Sequence, residues 1–214
     1  MMRLRKKYGK GIKFYACGEY GEETFRPHYH ACLFGVDFKD RELYKTTNDI
    51  PIYTSESLDK LWSINGKQIG FATIGEVTFQ SASYVARYCM KKRKGKNWKN
   101  YYELPDEDQD QEEVLMLQPE FPLMSRRPGI GKTWLEKYKD EVLTNDSVRA
   151  NFQAMKPPKY YDNLFTHSHP SEIEQIKANR RVAAKNAKEN NTLARLYTRG
   201  NVKKSQIKQL KKEL

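Results

Sequence analysis

The chain has 214 residues, enough for one domain with an extension, and 38% of them are hydrophobic, which is a low fraction for a fully compact globule. Lys and Arg outnumber Asp and Glu by 39 to 27, and a net charge of +12 is typical of proteins whose partners carry phosphates, nucleic acid first among them. No apolar run approaches the roughly 18 residues of a spanning helix and no signal peptide opens the chain, which excludes a membrane-spanning protein and predicts a soluble, cytosolic one.

The first half of the chain alternates between helix and strand patterns. A basic helix that ends at Gly9 or Gly11 is followed by the strand pattern IKFYAC, a turn, and the strand pattern HYHACLFGV, which together predict an antiparallel pair. A capped helix is predicted at Ser55–Trp62, and GFATIGEV predicts another strand. TFQSASYVARYCMKK predicts a helix that Thr78 or Ser81 caps and that ends in lysines.

Charge dominates the second half. Residues 103–113 carry seven acids and no Lys or Arg, which favours a solvated loop, although such a run could also lie over a basic groove as a DNA mimic. SRRPGIGKTWLEKYKDEV predicts a basic glycine loop that leads into a helix. Residues 175–214 hold twelve Lys or Arg against two acids, which predicts a marginally helical or disordered tail after a domain at 1–142 and a linker region at 143–174.

Two histidines flank a tyrosine in RPHYHACLF. On a strand, His28 and His30 project from one face, where two imidazoles can share a divalent ion if an oxygen donor completes the set. Glu19 ends the preceding strand and is the candidate donor, with Glu22 and Glu23 as nearby competitors. The pair alone favours two hydrogen-bonded surface side chains, and Glu19 shifts the balance toward a metal site. The second such pair, in FTHSHPS, predicts a loop.

Two tyrosines lie four residues apart in SASYVARYCMKK. Tyr84 and Tyr88 therefore share a helix face, with Arg87 and Lys91 three residues after each and Lys92 beyond. Tyrosines at this spacing are more often core than catalytic. Attack by a phenol on a phosphodiester at neutral pH also needs a metal or a cation to stabilise the developing charge, and the histidine pair could hold such a metal.

These motifs together resemble a known family. CGEYGEETFRPHYHACLFG, then YVARYCMKK, then SRRPGIG are similar to the replication initiators of small single-stranded DNA phages of the microvirus group, closest to the gokushovirus type, in the HUH endonuclease superfamily. The resemblance covers roughly residues 5–140. It implies an α+β fold of the palm type, with an antiparallel sheet of four or five strands flanked by helices.

The resemblance also implies a chemistry. His28, His30 and Glu19 would bind Mg²⁺ or Mn²⁺, and Tyr88, which matches the family's Tyr-x-x-Lys pattern through Lys91, would act with Tyr84 as a pair of nucleophiles. One tyrosine would nick the phage origin and keep a 5′-phosphotyrosine, and the second would cut the regenerated origin so that the displaced strand closes into a circle. The residues expected to contact DNA are Arg87, Lys92, Arg126, Arg127 and Lys132.

The implied partners are single-stranded or locally melted origin DNA and the host helicase and polymerase, with no membrane, in the host bacterial cytoplasm. Joining requires no ATP, because the tyrosyl ester conserves the bond energy. Family members carry a strand before the first helix that this chain lacks, which predicts an exposed sheet edge and reduced stability. A non-catalytic DNA-binding remnant and a tyrosine transposase or relaxase of the same superfamily are the alternatives.

Two other patterns are excluded as sites. GIGKT resembles a nucleotide-binding loop, but Arg126 stands where that loop needs a glycine, five residues before Gly131. The cysteines lie in apolar runs without zinc spacing, which predicts reduced, buried thiols at Cys17, Cys32 and Cys89.

Overall fold

The structure is a computed structural model that describes residues 1–21, 24–88, 102–105 and 114–209. The chain forms two compact units, one comprising residues 1–130 and one that begins at Gly131. Both units combine helices with small antiparallel sheets, so the predicted α+β class is confirmed. Among the helices of the described ranges, none is both long enough and apolar enough to cross a bilayer.

The first unit contains three helices and nine short strands in its described residues. The helices are α1 (Met2–Tyr8), α2 (Glu56–Leu61) and α3 (Phe79–Arg87). The strands are β1 (Lys13–Tyr20), β2 (Pro27–Phe34), β3 (Arg41–Thr47), β4 (Ile50–Ser55), β5 (Ser63–Ile64), β6 (Lys67–Gln68), β7 (Glu103–Pro105), β8 (Val114–Met116) and β9 (Phe121–Met124).

A three-stranded antiparallel sheet in the order β2-β1-β9 forms the centre of the first unit. The predicted pairing of β1 with β2 is confirmed, but within the described residues the sheet has three strands where four or five were expected. The other strands form separate two-stranded pairs, β3-β4, β5-β6 and β7-β8. β7 occupies the start of the acidic run predicted as a loop, and residues 106–113 of that run lie outside the described part of the chain.

One predicted strand is absent and one hairpin was missed. In GFATIGEV, which lies in the described residues, Ile74 forms a single bridge to Tyr53 and no strand follows; two glycines in eight residues weaken the strand pattern. The missed hairpin joins β3 to β4 through Asn48 and Asp49, whose φ angles of 50° and 65° are those of a tight hairpin turn.

The helix ends of the first unit follow from local sequence, as predicted. α1 closes at Gly9, whose φ of 109° suits a residue without a side chain. The Ser55 hydroxyl accepts the Leu58 N–H at 3.2 Å and caps α2. Thr78 and Ser81 form a reciprocal capping box at the start of α3.

Two separate hydrophobic clusters form the core of the first unit. In one cluster α3 packs against the central sheet through Val85, Tyr88 and the thiols of Cys17 and Cys32. The second cluster joins α1 and α2 to the rest of the unit around buried Leu4, Ile12 and Phe38. Cys17 and Cys32 are reduced and buried, as predicted, whereas Cys89 lies outside the described residues.

The second unit is mainly helical. Its elements are α4 (Lys132–Asn145), β10 (Val148–Ala150), β11 (Gln153–Met155), α5 (Lys159–Ser168), α6 (Pro170–Asn186), a 3₁₀ turn (Lys188–Asn191) and α7 (Leu193–Gln209). The predicted helix after the glycine loop is thereby confirmed as α4. Its core consists of Leu135, Val142, Tyr161, Phe165 and Ile173.

Polar contacts complete the second unit. Arg180 of α6 contacts the carboxylates of Asp146 and Asp162, at 2.7 Å from Nε and from Nη1 respectively. His167, predicted in a loop, lies in the last turn of α5, and His169 joins α5 to α6. Pro170 explains this outcome, because proline suits the first position of a helix. The boundaries predicted at residues 142 and 174 stay a prediction.

Candidate active site

The β1-β2 hairpin brings the three predicted metal ligands to one face of the central sheet. Its register sets Glu19 directly opposite His28, and Cys17 directly opposite His30. Directly opposed residues of an antiparallel pair point to the same side, and alternate residues of one strand do so too. Glu19, His28 and His30 therefore share the face that α3 covers.

Glu19 and His30 are in contact. Oε1 of Glu19 lies 3.0 Å from Nε2 of His30, and the two side chains are 6% and 19% exposed. A separation of 3.0 Å suits a hydrogen bond. It also suits two adjacent ligands of one octahedral cation, because bonds of about 2.1 Å at right angles span about 3.0 Å. This part of the predicted ligand set therefore has the spacing that a metal requires.

His28 stands apart from this pair. It is exposed, and its ring lies against Gly21, where an added Cβ would come within 3.1 Å of Cε1. Within the described ranges, no group of three or more His, Cys, Asp or Glu side chains is arranged to hold a metal ion. The competitors Glu22 and Glu23 lie outside those ranges. The chemistry of the donor set fits a divalent ion, and two imidazoles with one carboxylate suit Mn²⁺ better than Mg²⁺, which prefers oxygen ligands.

Helix α3 places both candidate nucleophiles beside Glu19 and His30. The rings of Tyr84 and Tyr88 meet edge to face at 5.0 Å, and the Tyr88 hydroxyl donates a hydrogen bond to the Tyr84 hydroxyl. The His30 ring stacks on the Tyr88 ring with centroids 4.4 Å apart, and its centroid lies 6.3 Å from that of Tyr84. Residues 54 positions apart in sequence are thus joined by ring contacts.

The environment of Tyr88 holds its phenol in the neutral form. Burial, first, raises the pKa of Tyr88 well above its ordinary value near 10, and the hydrogen bond with Tyr84 and the negative charge of Glu19 raise it further. Only 8% of the residue is exposed. Ionisation of this phenol would therefore need a positive charge close by.

Packing below the tyrosines fixes the position of α3. Val85, 4% exposed, lies three residues before Tyr88 and packs with it against Cys17 and Cys32. The Cys17 thiol also donates to the Val85 carbonyl, with sulfur and oxygen 3.6 Å apart. Tyr88 is therefore a core residue and a member of the candidate site at once, so the two interpretations of the tyrosine pair are compatible.

The residues predicted to contact DNA lie in separate places. The Arg87 guanidinium is 5.4 Å from the centre of the Tyr84 ring, beside the site. Arg126 and Arg127 follow β9 at the opposite end of the central sheet from Glu19. Lys132 belongs to the second unit, where it pairs with Glu136 at 3.3 Å. Lys91 and Lys92 lie outside the described residues.

Two features of this region were not predicted from sequence. Gly21 leaves the space that the His28 ring occupies, and its place in the GEYG motif is the signal that could have identified it. Tyr102 is fully buried and donates a hydrogen bond to Glu120, which is 5% exposed. No sequence pattern marked this pair, because the two residues lie on either side of the acidic run.

Comparison with known proteins gives a consistent set of relatives. The family of the replication-associated protein ORF2 matches residues 1–93. The chain is 34% identical to Replication-associated protein ORF2 of Spiroplasma virus 4 over 195 residues, which are 85% of this chain and 54% of that protein. It is 30% identical to Replication-associated protein VP4 of Bdellovibrio phage phiMH2K over 184 residues, which are 85% of this chain and 52% of that protein.

A third relative aligns over a shorter range. Replication-associated protein ORF4 of Chlamydia phage 1 is 37% identical over 100 residues, which are 42% of this chain and 24% of that protein. The chain spans about half the length of the first two relatives. No solved structure matches the chain.

Proposed function

Because this chain belongs, through residues 1–93, to the family of phage replication-associated proteins, as its motifs predicted, we propose that it initiates rolling-circle replication. Its substrate is the origin strand of a circular single-stranded DNA phage, which it nicks and later rejoins as a circle. The observation that supports this most strongly is the contact of two tyrosines with a histidine and a carboxylate on one sheet face.

The proposed reaction exchanges one phosphodiester for another. A tyrosine oxygen attacks the scissile phosphorus, the bond from phosphorus to the 3′ oxygen breaks, and the phenol proton is lost as the 3′ oxygen gains one. The products are a 5′-phosphotyrosine and a 3′ hydroxyl that serves as primer. In closure, a 3′ hydroxyl attacks this ester and the tyrosine oxygen leaves, so the reaction needs no ATP.

The two tyrosines have different roles in this proposal. The Tyr88 hydroxyl donates to the Tyr84 oxygen, and a donated hydrogen bond stabilises negative charge on the oxygen that accepts it. Burial and the Glu19 charge disfavour ionisation of Tyr88 itself. We therefore assign the first attack to Tyr84 and the second to Tyr88, with Arg87 and Lys91 as the cations nearest to each in sequence.

The residues that would hold a divalent ion are Glu19 and His30, with His28 as third ligand once its side chain turns away from Gly21. Mg²⁺ or Mn²⁺ bound there would polarise the phosphodiester and stabilise its developing charge. Whether or not an ion is present, Glu19 and His30 orient the tyrosines: His30 stacks on the Tyr88 ring, and the Glu19 charge favours a protonated Tyr88.

The test is covalent capture of DNA. The full chain is incubated with a 5′- or 3′-labelled single-stranded phage-origin oligonucleotide and Mn²⁺, and a denaturing gel separates free DNA from the protein adduct. We expect the adduct with wild type, its loss in Tyr84→Phe/Tyr88→Phe, and a larger loss of first cleavage in Tyr84→Phe than in Tyr88→Phe. Tyr44→Phe, which changes an exposed tyrosine, is the matched control.

Three outcomes would contradict parts of the proposal. An adduct that persists in the double variant would exclude these tyrosines as nucleophiles. Unchanged nicking in His28→Ala would exclude His28 as a metal ligand. Cleavage that stays at the wild-type level in Tyr84→Phe and is lost in Tyr88→Phe would reverse the order of attack.

A non-catalytic DNA-binding protein is the second candidate. It is favoured by the absence of a three-donor cluster among the described residues, and by the chain spanning about half the length of its relatives. Salt-dependent binding of origin DNA without an adduct in any divalent ion would support it. A transposase or relaxase is less favoured, because the relatives are replication-associated proteins.

The partners in this proposal are locally melted origin DNA and the host polymerase and helicase, which would extend and unwind from the new 3′ hydroxyl. The proposed place of action is the host bacterial cytoplasm, where the phage DNA replicates.

A further inference from the structure

A concave basic surface lies at the end of the central sheet where β1 begins and β9 ends. We call it the basic groove, and its lining includes Arg5, Lys13, Phe14, Ser125, Arg126 and Arg127. The tyrosine site is at the opposite end of β1, next to Glu19. The groove is thus a second concentration of functional groups in the first unit, distinct from the tyrosine site.

Arg5 is held rigidly at the base of the basic groove. Its Nη2 and Nε atoms donate to the Ile12 carbonyl at 2.9 and 3.2 Å, and Nη2 also approaches the Ser125 hydroxyl at 3.3 Å. The guanidinium carbon lies 5.6 Å from the centre of the Phe14 ring. Because these contacts already order the side chain, binding of an anion costs less conformational entropy here than at a mobile surface arginine.

The positive charges of the groove are not neutralised by protein acids. Among the described residues, Arg5, Lys13, Arg126 and Arg127 form no ion pair with a carboxylate. Other cations of the same unit, such as Lys39 and Lys60, do pair with a nearby acid. Four positive charges around one concavity repel one another, and a bound anion would remove that cost.

We propose that the basic groove binds backbone phosphates of the DNA strand that enters the tyrosine site; this inference rests on the proposed function. Lys13 and Glu19 are six residues apart on one strand, so they share a face and are separated by about 20 Å at roughly 3.3 Å per residue. At the duplex rise of about 3.4 Å per nucleotide this distance corresponds to about six nucleotides, and an extended single strand covers it with fewer. The groove therefore anchors the strand a few nucleotides away from the scissile phosphate.

Binding can be measured without cleavage. Fluorescence anisotropy of a labelled oligo-dT strand is followed in EDTA at several salt concentrations for the full-length chain. We expect Arg126→Gln/Arg127→Gln to reduce the slope of log affinity against log salt by about 1.4, because each single-strand phosphate contact contributes about 0.7. Lys13→Gln should reduce it by about 0.7 on the same basis. Both arginines are exposed, so circular dichroism and the Tm should remain those of wild type.

The control removes the same charge elsewhere. Lys39→Gln/Lys67→Gln neutralises two exposed lysines of the first unit that do not line the groove. If this variant loses as much slope as the arginine variant, or if the arginine variant retains the wild-type slope, the proposal is overturned. Loss of binding to vesicles of anionic lipid, with binding to oligo-dT unchanged, would identify a membrane surface as the ligand and would also overturn it.

Failure of the groove and failure of the proposed function give different results. Tyr84→Phe/Tyr88→Phe should bind oligo-dT with the wild-type salt slope, because its groove is intact. If no variant forms an adduct but the arginine variant loses its slope, the nicking function fails while the groove proposal stands. If wild type forms adducts and the arginine variant binds normally, the groove proposal fails alone.

Discussion

The imidazole of His30 lies parallel to the phenol ring of Tyr88, with ring centroids 4.4 Å apart and 9° between the ring planes. One ring belongs to a central-sheet strand and the other to the end of α3, so this contact links the two elements that carry the candidate site. Glu19 holds His30 from the other side at 3.0 Å. A change in the carboxylate is therefore transmitted through the imidazole to the tyrosine.

Glu19→Gln should weaken Mn²⁺ binding. The substitution keeps the shape of the side chain but removes the negative charge that a divalent ion requires. We expect a loss of affinity at least as large as the roughly 10–100-fold that outer-shell changes cost metal sites. Titration of the free Mn²⁺ signal by electron paramagnetic resonance measures it without DNA. Asp37→Asn, which removes an exposed carboxylate of the same unit, should bind Mn²⁺ like wild type. Equal affinity in Glu19→Gln would show that Glu19 is not a ligand.

Tyr161 should make stability fall at alkaline pH. Burial, and then the neighbouring Tyr160, raise the pKa of Tyr161, whose hydroxyl donates to the Gly131 carbonyl at 3.1 Å. Below pH of about 10 the phenol is protonated in both states, so stability is constant. Above it the unfolded chain loses the proton first, and the free energy of unfolding falls by up to about 1.4 kcal/mol per pH unit.

Urea unfolding between pH 9 and 11 tests this dependence. In Tyr161→Phe the fall with pH should be shallower, because the substituted ring has no proton to lose. Tyr197→Phe, which changes a tyrosine that is 73% exposed in the same unit, should keep the wild-type slope. Identical slopes for Tyr161→Phe and wild type would contradict the prediction.

Asp40 should support α2 at neutral pH but not in acid. Its carboxylate accepts the Ser57 N–H at 2.7 Å and the Ser55 hydroxyl at 2.9 Å, and these bonds, the Ser57 N–H first, lower its pKa to about 2. A lowered pKa means that the contribution is complete above the unfolded value near 3.9 and is lost as pH falls toward 2. Asp40→Ala should therefore lower the Tm at pH 7, and the difference from wild type should shrink between pH 4 and pH 2. A control, Glu42→Ala, changes an exposed acid of β3 and should leave the Tm unchanged.

Arg180 should contribute far more to stability than its neighbour Arg181. Arg180 is 18% exposed and contacts Asp146 and Asp162, so its removal leaves two half-buried carboxylates without their cation. We expect Arg180→Ala to lose about 2–3 kcal/mol, the range for hydrogen bonds to charged groups. Arg181 is exposed, and Arg181→Ala should stay within about 0.5 kcal/mol of wild type. Urea midpoints of the two variants provide the comparison, and equal midpoints would exclude a structural role for the bridge.

Local signals in the sequence were enough to predict part of the fold. The β1-β2 pair followed from alternation and an intervening turn, and the start of α3 followed from the capping residues Thr78 and Ser81. The pairing of Tyr84 with Tyr88 followed from helical spacing. Such features depend on residues close in sequence, whose geometry the backbone dictates.

Long-range packing was beyond the reach of the sequence pattern. The stacking of His30 on Tyr88 depends on how α3 lies over the sheet, which Val85 and the two thiols decide. The role of Arg5 at the groove depends on Ser125, 120 positions later. The β3-β4 hairpin was missed for a local reason, since Asn48 and Asp49 are a turn signal that the mixed composition of residues 40–70 obscured.

The hydrogen bond between the Tyr84 and Tyr88 hydroxyls makes the two phenols one acid with two ionisation steps. After the first proton leaves, the remaining hydroxyl solvates the anion; a second loss would put two negative charges in contact beside Glu19. A phosphoryl group on one oxygen likewise ends the sharing and leaves its neighbour a lone phenol. Mutual exclusion of this kind makes the pair take turns, with one oxygen occupied while the other waits.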